Sequence, residues 1–217
     1  MGSGTDIYDS NWGLPEIVPV FPLSGALLMP RTQLPLNIFE PRYLDMVRDA
    51  RQSGGWIGMI QPKDEAEKPD IYDIGCLGRI GEFSETEDGR YLITLVGVTR
   101  FRVSQELVAD TAYRQIVPDF KPFTMDQNVS PDLPYEQRAA LLEDLKQYLD
   151  HIGFRIDWSE VEAANDEAIV NALAILAPFD PAEKQALLEA KTLNERTKIA
   201  QTLLQFAVLD QGEFHAH

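Results

Sequence analysis

The hydrophobic pattern changes character near residue 125. Before that point, short β-branched and aromatic runs are broken by proline and glycine. After it, Leu, Ala, Glu and Gln recur at three- and four-residue spacing. The first texture predicts strands and the second predicts helices. Ile17–Leu23 and Leu34–Phe39 read as strands, and their prolines demote the first to an edge or irregular strand. Pro41 suits the first turn of a helix whose stripe is Tyr43, Leu44, Val47 and Ala50, stopped by Gly54-Gly55. Trp56–Ile60 is a short strand, and the charged stretch 62–70 reads as an exposed loop. Apolar runs flanking Glu87-Asp88-Gly89 predict a hairpin between Cys76 and Val103. Gly75 and Gly97 are expected to mark bends or bulges. Tyr113–Val117 reads as the last strand.

The second part is punctuated for helices. Leu141, Leu142, Leu145, Tyr148, Leu149 and Ile152 form one apolar face, ended by Gly153. Asp166 is read as the cap of a helix that Pro178 closes. Asp180-Pro181-Ala182-Glu183 and Thr192-Leu193-Asn194-Glu195 each spell a capping box. The expectation is four helices with short links. Strands grouped before helices predict an α+β fold, with a β-rich lobe over 1–125 and a helical lobe over 126–217. Several short, bent strands suggest a small barrel-like sheet.

Charge and composition narrow the function classes. The 217 residues hold 19 Lys+Arg and 35 Asp+Glu, a net charge of −16. So acidic a chain is a poor partner for phosphate backbones or anionic membranes, because affinity there comes from Lys and Arg. The acidity deepens along the chain, from net −6 over 1–125 to net −10 over 126–217. Hydrophobic residues make up 44%, ordinary for a globular protein. The start shows no secretory or myristoylation pattern, and no apolar run is long enough to span a bilayer. The expected location is the cytoplasm. A single cysteine, Cys76, excludes an internal disulfide framework.

Recognisable catalytic patterns are missing. There is no phosphate loop, no G-x-S-x-G, no H-E-x-x-H and no C-x-x-C. Of the three histidines, His151 follows Asp150 near a helix end, and His215 and His217 lie at the tail. The acids Glu82, Glu85, Glu87 and Asp88 surround a turn and read as a solvated rim. Trp12, Trp56 and Trp158 read as core or contact residues. Arg100 and Arg102 flank Phe101 on an alternating strand, which predicts the ring inward and both charges outward. No catalytic residue, cofactor or metal is expected, and the protein is read as not an enzyme.

Residues 17–103 carry Val18-Pro19-Val20-Phe21-Pro22-Leu23, Leu28-Met29-Pro30 and Leu34-Pro35-Leu36-Asn37-Ile38-Phe39-Glu40-Pro41-Arg42-Tyr43 in order. Tyr72–Ile80 and Leu95–Phe101 follow at matching spacing. This pattern resembles the N-terminal, substrate-binding domain of the Lon ATP-dependent protease family, and the helical tail resembles the bundle that follows it there. The resemblance implies a PUA-like twisted β pseudo-barrel lobe followed by an α-helical bundle lobe. It also implies a role in selecting protein substrates, without the phosphate loop or the catalytic Ser-Lys part of the protease. The chain therefore looks like a stand-alone substrate-binding-domain protein of protein quality control. Its expected partners are unfolded or partly folded protein segments, with a Lon protease or a chaperone alongside, and neither nucleic acid nor membrane. The peptide-binding or lobe-contact candidates are Val18, Val20, Leu36, Phe39, Arg42, Tyr43, Arg100 and Phe101. Phe21, Leu36 and Phe39 are read first as core side chains. Arg42 is read first as a tie between helix and sheet. Two rival readings remain: an adaptor that docks on a basic partner through the acidic helices, and an enzyme whose pocket is not encoded as a local motif.

Overall fold

The computed structural model describes residues 13–66 and 68–210. Trp12, His215 and His217 lie outside them. The fold is α+β, and the chain divides into two compact units, one ending at Asn128 and the other beginning at Val129.

The first unit contains β1 (Val18–Pro22), β2 (Gln33–Ile38), α1 (Pro41–Gln52), β3 (Trp56–Ile60), β4 (Ile74–Glu85), β5 (Tyr91–Leu107) and β6 (Arg114–Asp119). The strand order is β2-β5-β4-β3-β1-β6, and β6 also pairs with β5. Five strands therefore close on themselves, and β2 hangs on the outside of β5. The length of β5 makes this possible. Its first half pairs with β2 and β4, and its second half with β4 and β6. Register shifts between Leu77 and Gly78 and between Ile80 and Glu82 bend the sheet, as closure of a small barrel requires. Val18, Val20, Trp56, Ile60, Leu77, Phe101 and Ile116 fill the interior.

The prolines of β1 did not make it an edge. It lies between β3, parallel, and β6, antiparallel. Pro19 sits opposite Gln115, and pairing with β3 begins only at Val20. The alternation that buries Val18 and Val20 outweighs the donors that Pro19 and Pro22 lack. Gly75 is also no bend: it lies in regular pairing, where a Cβ would come within 2.6 Å of the Phe101 ring.

After Asn128 come α2 (Tyr135–His151), α3 (Trp158–Ala163), α4 (Asp166–Leu176), α5 (Pro181–Glu189) and α6 (Leu193–Asp210). Helix α3 has no counterpart in the sequence reading, because its six residues are too few to show a period. Asn165, not Asp166, caps α4, through Oδ1 accepting from the Ala168 N–H at 2.8 Å. Asp166 instead turns inward, accepting from the Leu133 N–H at 2.7 Å and from Arg138. Helices α2 and α6 run parallel, tied by Gln137 with Asn194 and by Asp144 with Gln201 and Gln205. Two buried cations satisfy the carbonyl ends of neighbouring helices. Lys184 Nζ donates to the Ile175 carbonyl at 3.1 Å, and Arg196 Nε donates to the Leu187 carbonyl at 3.0 Å. The Asp180–Glu183 capping box is complete. Asp180→Ala is expected to cost about 1 kcal/mol, read as a shift in urea midpoint at unchanged slope. A shift of under a tenth of that would show that the cap carries no stability.

Candidate functional site at the β2–α1 corner

The entry to β2 is set by a turn. Thr32 N–H donates to the Met29 carbonyl at 3.1 Å, with Pro30 and Arg31 at its centre. Arg31 has φ 65°, the left-handed region that the third position of a type II turn requires. Arg31 N–H then donates to the Gly97 carbonyl, and Gly97 N–H donates to the Thr32 carbonyl, both at 2.8 Å. Two residues thus oppose one, in a bulge whose first residue is left-handed.

From the Thr32–Gly97 bond the antiparallel ladder alternates. The main-chain groups of Leu34, Leu36 and Ile38 face β5, opposite Leu95, Ile93 and Tyr91. Those of Gln33, Pro35 and Asn37 face the open side. Among the described residues no strand pairs with that side. Pro35 has no N–H, so the edge presents one donor fewer than its length would allow, which blunts edge-to-edge association. Next to the edge, Phe39 is 63% exposed and Leu92 is 43% exposed. A shallow depression crosses β2, β5 and β4, lined in part by Pro35, Leu36, Leu92, Ile93 and Phe83.

A deeper groove of about 770 Å³ begins two residues past the N-cap of α1. Arg42, Tyr43, Pro22, Pro62, Tyr113 and Arg114 are among its walls, and among the described residues no histidine or cysteine lines it. Arg42 does not tie the helix to the sheet. It pairs with Glu40 at 2.8 Å and lies over the Tyr43 ring at 4.5 Å. Tyr43 in turn packs on Phe21, with ring centroids 4.2 Å apart. Arg114 is held by Glu106 at 2.6 Å. That hydrogen-bonded guanidinium keeps the Glu106 carboxyl below the usual carboxylate range.

Burial, helped by a 2.8 Å hydrogen bond to Asp49, pushes the Tyr113 phenol up to about 12. The folded form holds this proton longer than the unfolded chain does, whose tyrosines titrate near 10. The contribution is therefore complete below about pH 10 and is lost as pH rises toward about 12. Tyr113→Phe is expected to flatten the loss of stability over that window in urea titrations. An unchanged slope would rule the linkage out.

The structure brings four of the sequence candidates to one corner: Leu36 and Phe39 on the edge, Arg42 and Tyr43 at the groove. Phe39 is a correction to the core reading, since β2 ends at Ile38 and leaves the next side chain in solvent. The other four candidates lie elsewhere. Val18, Val20 and Phe101 are wholly buried in the barrel and offer no surface to a ligand. Arg100 is only 2% exposed, against the expectation of an outward charge. Its guanidinium pairs with Asp126 at 2.8 Å, and its own N–H donates to the same carboxylate at 2.9 Å. The sequence reading missed Leu92, Tyr113 and Arg114. For Leu92 the strand alternation was the available signal; for the groove residues there was none, because loop 62–70 and β6 meet only in the fold.

Among the described residues no group of His, Cys, Asp and Glu has the arrangement of a metal site, and no helix is long and apolar enough to cross a membrane.

Comparison with known proteins supplies a second line of findings. Residues 17–205 match a family model described as the ATP-dependent protease La (LON) substrate-binding domain. Lon protease 2 of Myxococcus xanthus is 24% identical over 88% of this chain, and that match takes in 24% of the relative. Lon protease of Anaeromyxobacter dehalogenans is 25% identical, over 88% of this chain and 23% of the relative. The chain thus spans about a quarter of the length of these curated relatives. Among solved structures, a Lon N-terminal domain protein from Xanthomonas campestris superposes with a TM-score of 0.64 at 23% identity, covering 88% of this chain and 98% of that one. The N-terminal domain of a Mycobacterium avium complex Lon protease gives 0.62 at 15% identity, covering 89% and 98%. These two likenesses show the fold.

Proposed function

The chain belongs to the Lon substrate-binding domain family, and from that premise we propose that it is a non-catalytic module holding extended segments of unfolded or partly folded protein at the open edge of β2. The family match lies in the substrate-binding part and not in a protease part, which supports a role in recognition. The observation that carries the reading is the outer side of β2, unpaired among the described residues and flanked by exposed Phe39 and Leu92. An incoming strand would meet the main-chain groups of Gln33 and Asn37 and the carbonyl of Pro35. Each such bond is worth about 1 kcal/mol net. Affinity would then come from the backbone and be nearly indifferent to sequence, with the apolar side chains selecting for unfolded clients. In this reading the module works in the cytoplasm in protein quality control, beside a Lon protease or a chaperone, with its lobes divided near residue 125.

The test uses a reduced, carboxymethylated model protein as the unfolded client. Phe39→Ser combined with Leu92→Ser is expected to weaken binding about tenfold, the loss of one apolar anchor, at unchanged melting temperature. The amides of Gln33 and Asn37 are expected to exchange more slowly in the complex. Slowing confined to other segments would sink the edge as the site.

A further inference from the structure

The stretch from Asp150 to Ala163 joins α2 to α4 and includes α3. Its sequence interleaves Ile152, Phe154, Ile156, Trp158 and Val161 with Asp150, Asp157, Glu160 and Glu162, and holds one arginine, Arg155. So many apolar side chains ordinarily mark a core segment. Here none is buried: α3 buries no residue at all, Phe154 is 60% exposed and Ile152 is 46% exposed.

The backbone of this stretch is nevertheless well held. Phe154 N–H donates to the Leu149 carbonyl at 2.9 Å, across Gly153 with φ 68°. Asp157 caps α3, accepting from the Ser159 N–H at 2.9 Å and the Ser159 hydroxyl at 2.6 Å. Those bonds keep the Asp157 carboxyl below its ordinary range, so its charge is present at neutral pH. Arg138 of α2 donates to the carbonyls of Glu162 at 2.9 Å and Ala164 at 3.3 Å. A six-residue helix whose apolar residues, Trp158 and Val161, are only half-buried draws little stability from packing. The main chain of the stretch is anchored, Ile152 and Phe154 are presented outward, and Ile156, Trp158 and Val161 are half-buried beside them.

We propose that residues 150–163 form a docking surface for a basic, amphipathic segment of a partner protein. The apolar side chains would supply the contact area, and the four carboxylates around them would pair with the partner's Lys or Arg. Charge selects this occupant. Against one arginine, these acids repel an acidic segment, a nucleic acid or an anionic membrane. A second copy of the chain would bring its own acidic helical part, net −10 over 126–217, to the same place. This inference rests on the helical unit alone and stands apart from the β2 reading.

Two fluorescein-labelled helical peptides test it against the full chain, one carrying Leu with Lys, the other the same pattern with Glu for Lys. Fluorescence anisotropy is expected to show saturable binding of the Lys peptide, weakened by added salt, and no binding of the Glu peptide. Ile152→Ser with Phe154→Ser should lower affinity about tenfold, as loss of a central aromatic anchor does. Glu160→Lys with Glu162→Lys should lower it at least as much, whereas Glu87→Lys, on the β4–β5 hairpin of the first unit, should leave it unchanged. All these side chains are exposed, so melting temperatures should hold. Three results would overturn the proposal: no saturable binding, equal binding of both peptides, or affinity that falls with Glu87→Lys as much as with the α3 variants. Loss of binding on Phe39→Ser with Leu92→Ser, but not on Phe154→Ser, would assign the peptide to the β2 edge and overturn it too.

Discussion

Replacing Gly97 by alanine is expected to leave little folded protein. A Cβ at this position would stand 1.9 Å from the Met29 carbonyl oxygen and 2.8 Å from its carbon. Those are backbone atoms, so no rotamer change relieves the clash. The turn that carries Met29 cannot retreat, because the same residues bond to Gly97 on both of its main-chain groups. Leu28 and Met29 are also wholly buried beneath it. Opening the contact would pull β2 from β5 and expose the bend through which β5 serves two parts of the barrel. The cost belongs with overpacking of rigid sites, about 4 kcal/mol or more. The check is equilibrium unfolding by circular dichroism, with Gly89→Ala as comparison: that glycine has φ 80° but open space around it. Gly89→Ala should cost about 1 kcal/mol from backbone strain alone. Equal stability of the two variants would mean that the Met29 contact yields without penalty.

The second large effect is expected at Asp126. This carboxylate accepts from Arg100 Nε at 2.9 Å, from its terminal nitrogen at 2.8 Å and from the Arg100 main-chain N–H at 2.9 Å. The Arg31 guanidinium donates to the Asp126 carbonyl, and the Phe123 ring lies 4.6 Å from the Arg100 guanidinium carbon. The 3₁₀ segment Lys121–Gln127 is thereby pinned against β5. Asp126→Ala would leave the Arg100 charge buried without its carboxylate, at a cost of about 3–5 kcal/mol. Arg100→Met with Asp126→Leu removes both charges and keeps the volume, so its cost should be much smaller. Urea unfolding of the two variants gives the answer. A double variant at least as unstable as Asp126→Ala would show that the hydrogen-bond geometry, not the stranded charge, is what the site supplies.

Both effects grow from residues whose importance was only half legible in sequence. Gly97 could be read as a bend, because glycine between Val96 and Val98 interrupts a strong strand pattern. That it faces the Met29 carbonyl depends on β2 docking, which no local pattern encodes. Arg100 on an alternating strand reads as an outward charge. Its burial comes from Asp126, twenty-six residues on, which supplies the compensating charge. Prolines misled in β1, since they report a missing donor and not which neighbours a strand has. In β2 the same residue type did mark the edge, because Pro35 turns its nitrogen to the open side.

Sequence alone determined most of the element types, though not α3 or the 3₁₀ segment Lys121–Gln127, together with the α+β order and the family. These follow from short-range causes: periodicity, caps such as Asp180–Glu183, the Asp88-Gly89 turn, and motif order along 17–103. Four of the eight candidate residues, Leu36, Phe39, Arg42 and Tyr43, share one corner because they are neighbours in the chain. Tertiary structure alone decided which apolar residues stay exposed. Val18 and Phe39 look alike as strand hydrophobes, yet barrel closure buries one and the end of β2 leaves the other in solvent. It likewise decided that Ile152 and Phe154 find no core. Burial is a property of what packs against a side chain, and those partners are set by long-range closure that composition and spacing do not carry.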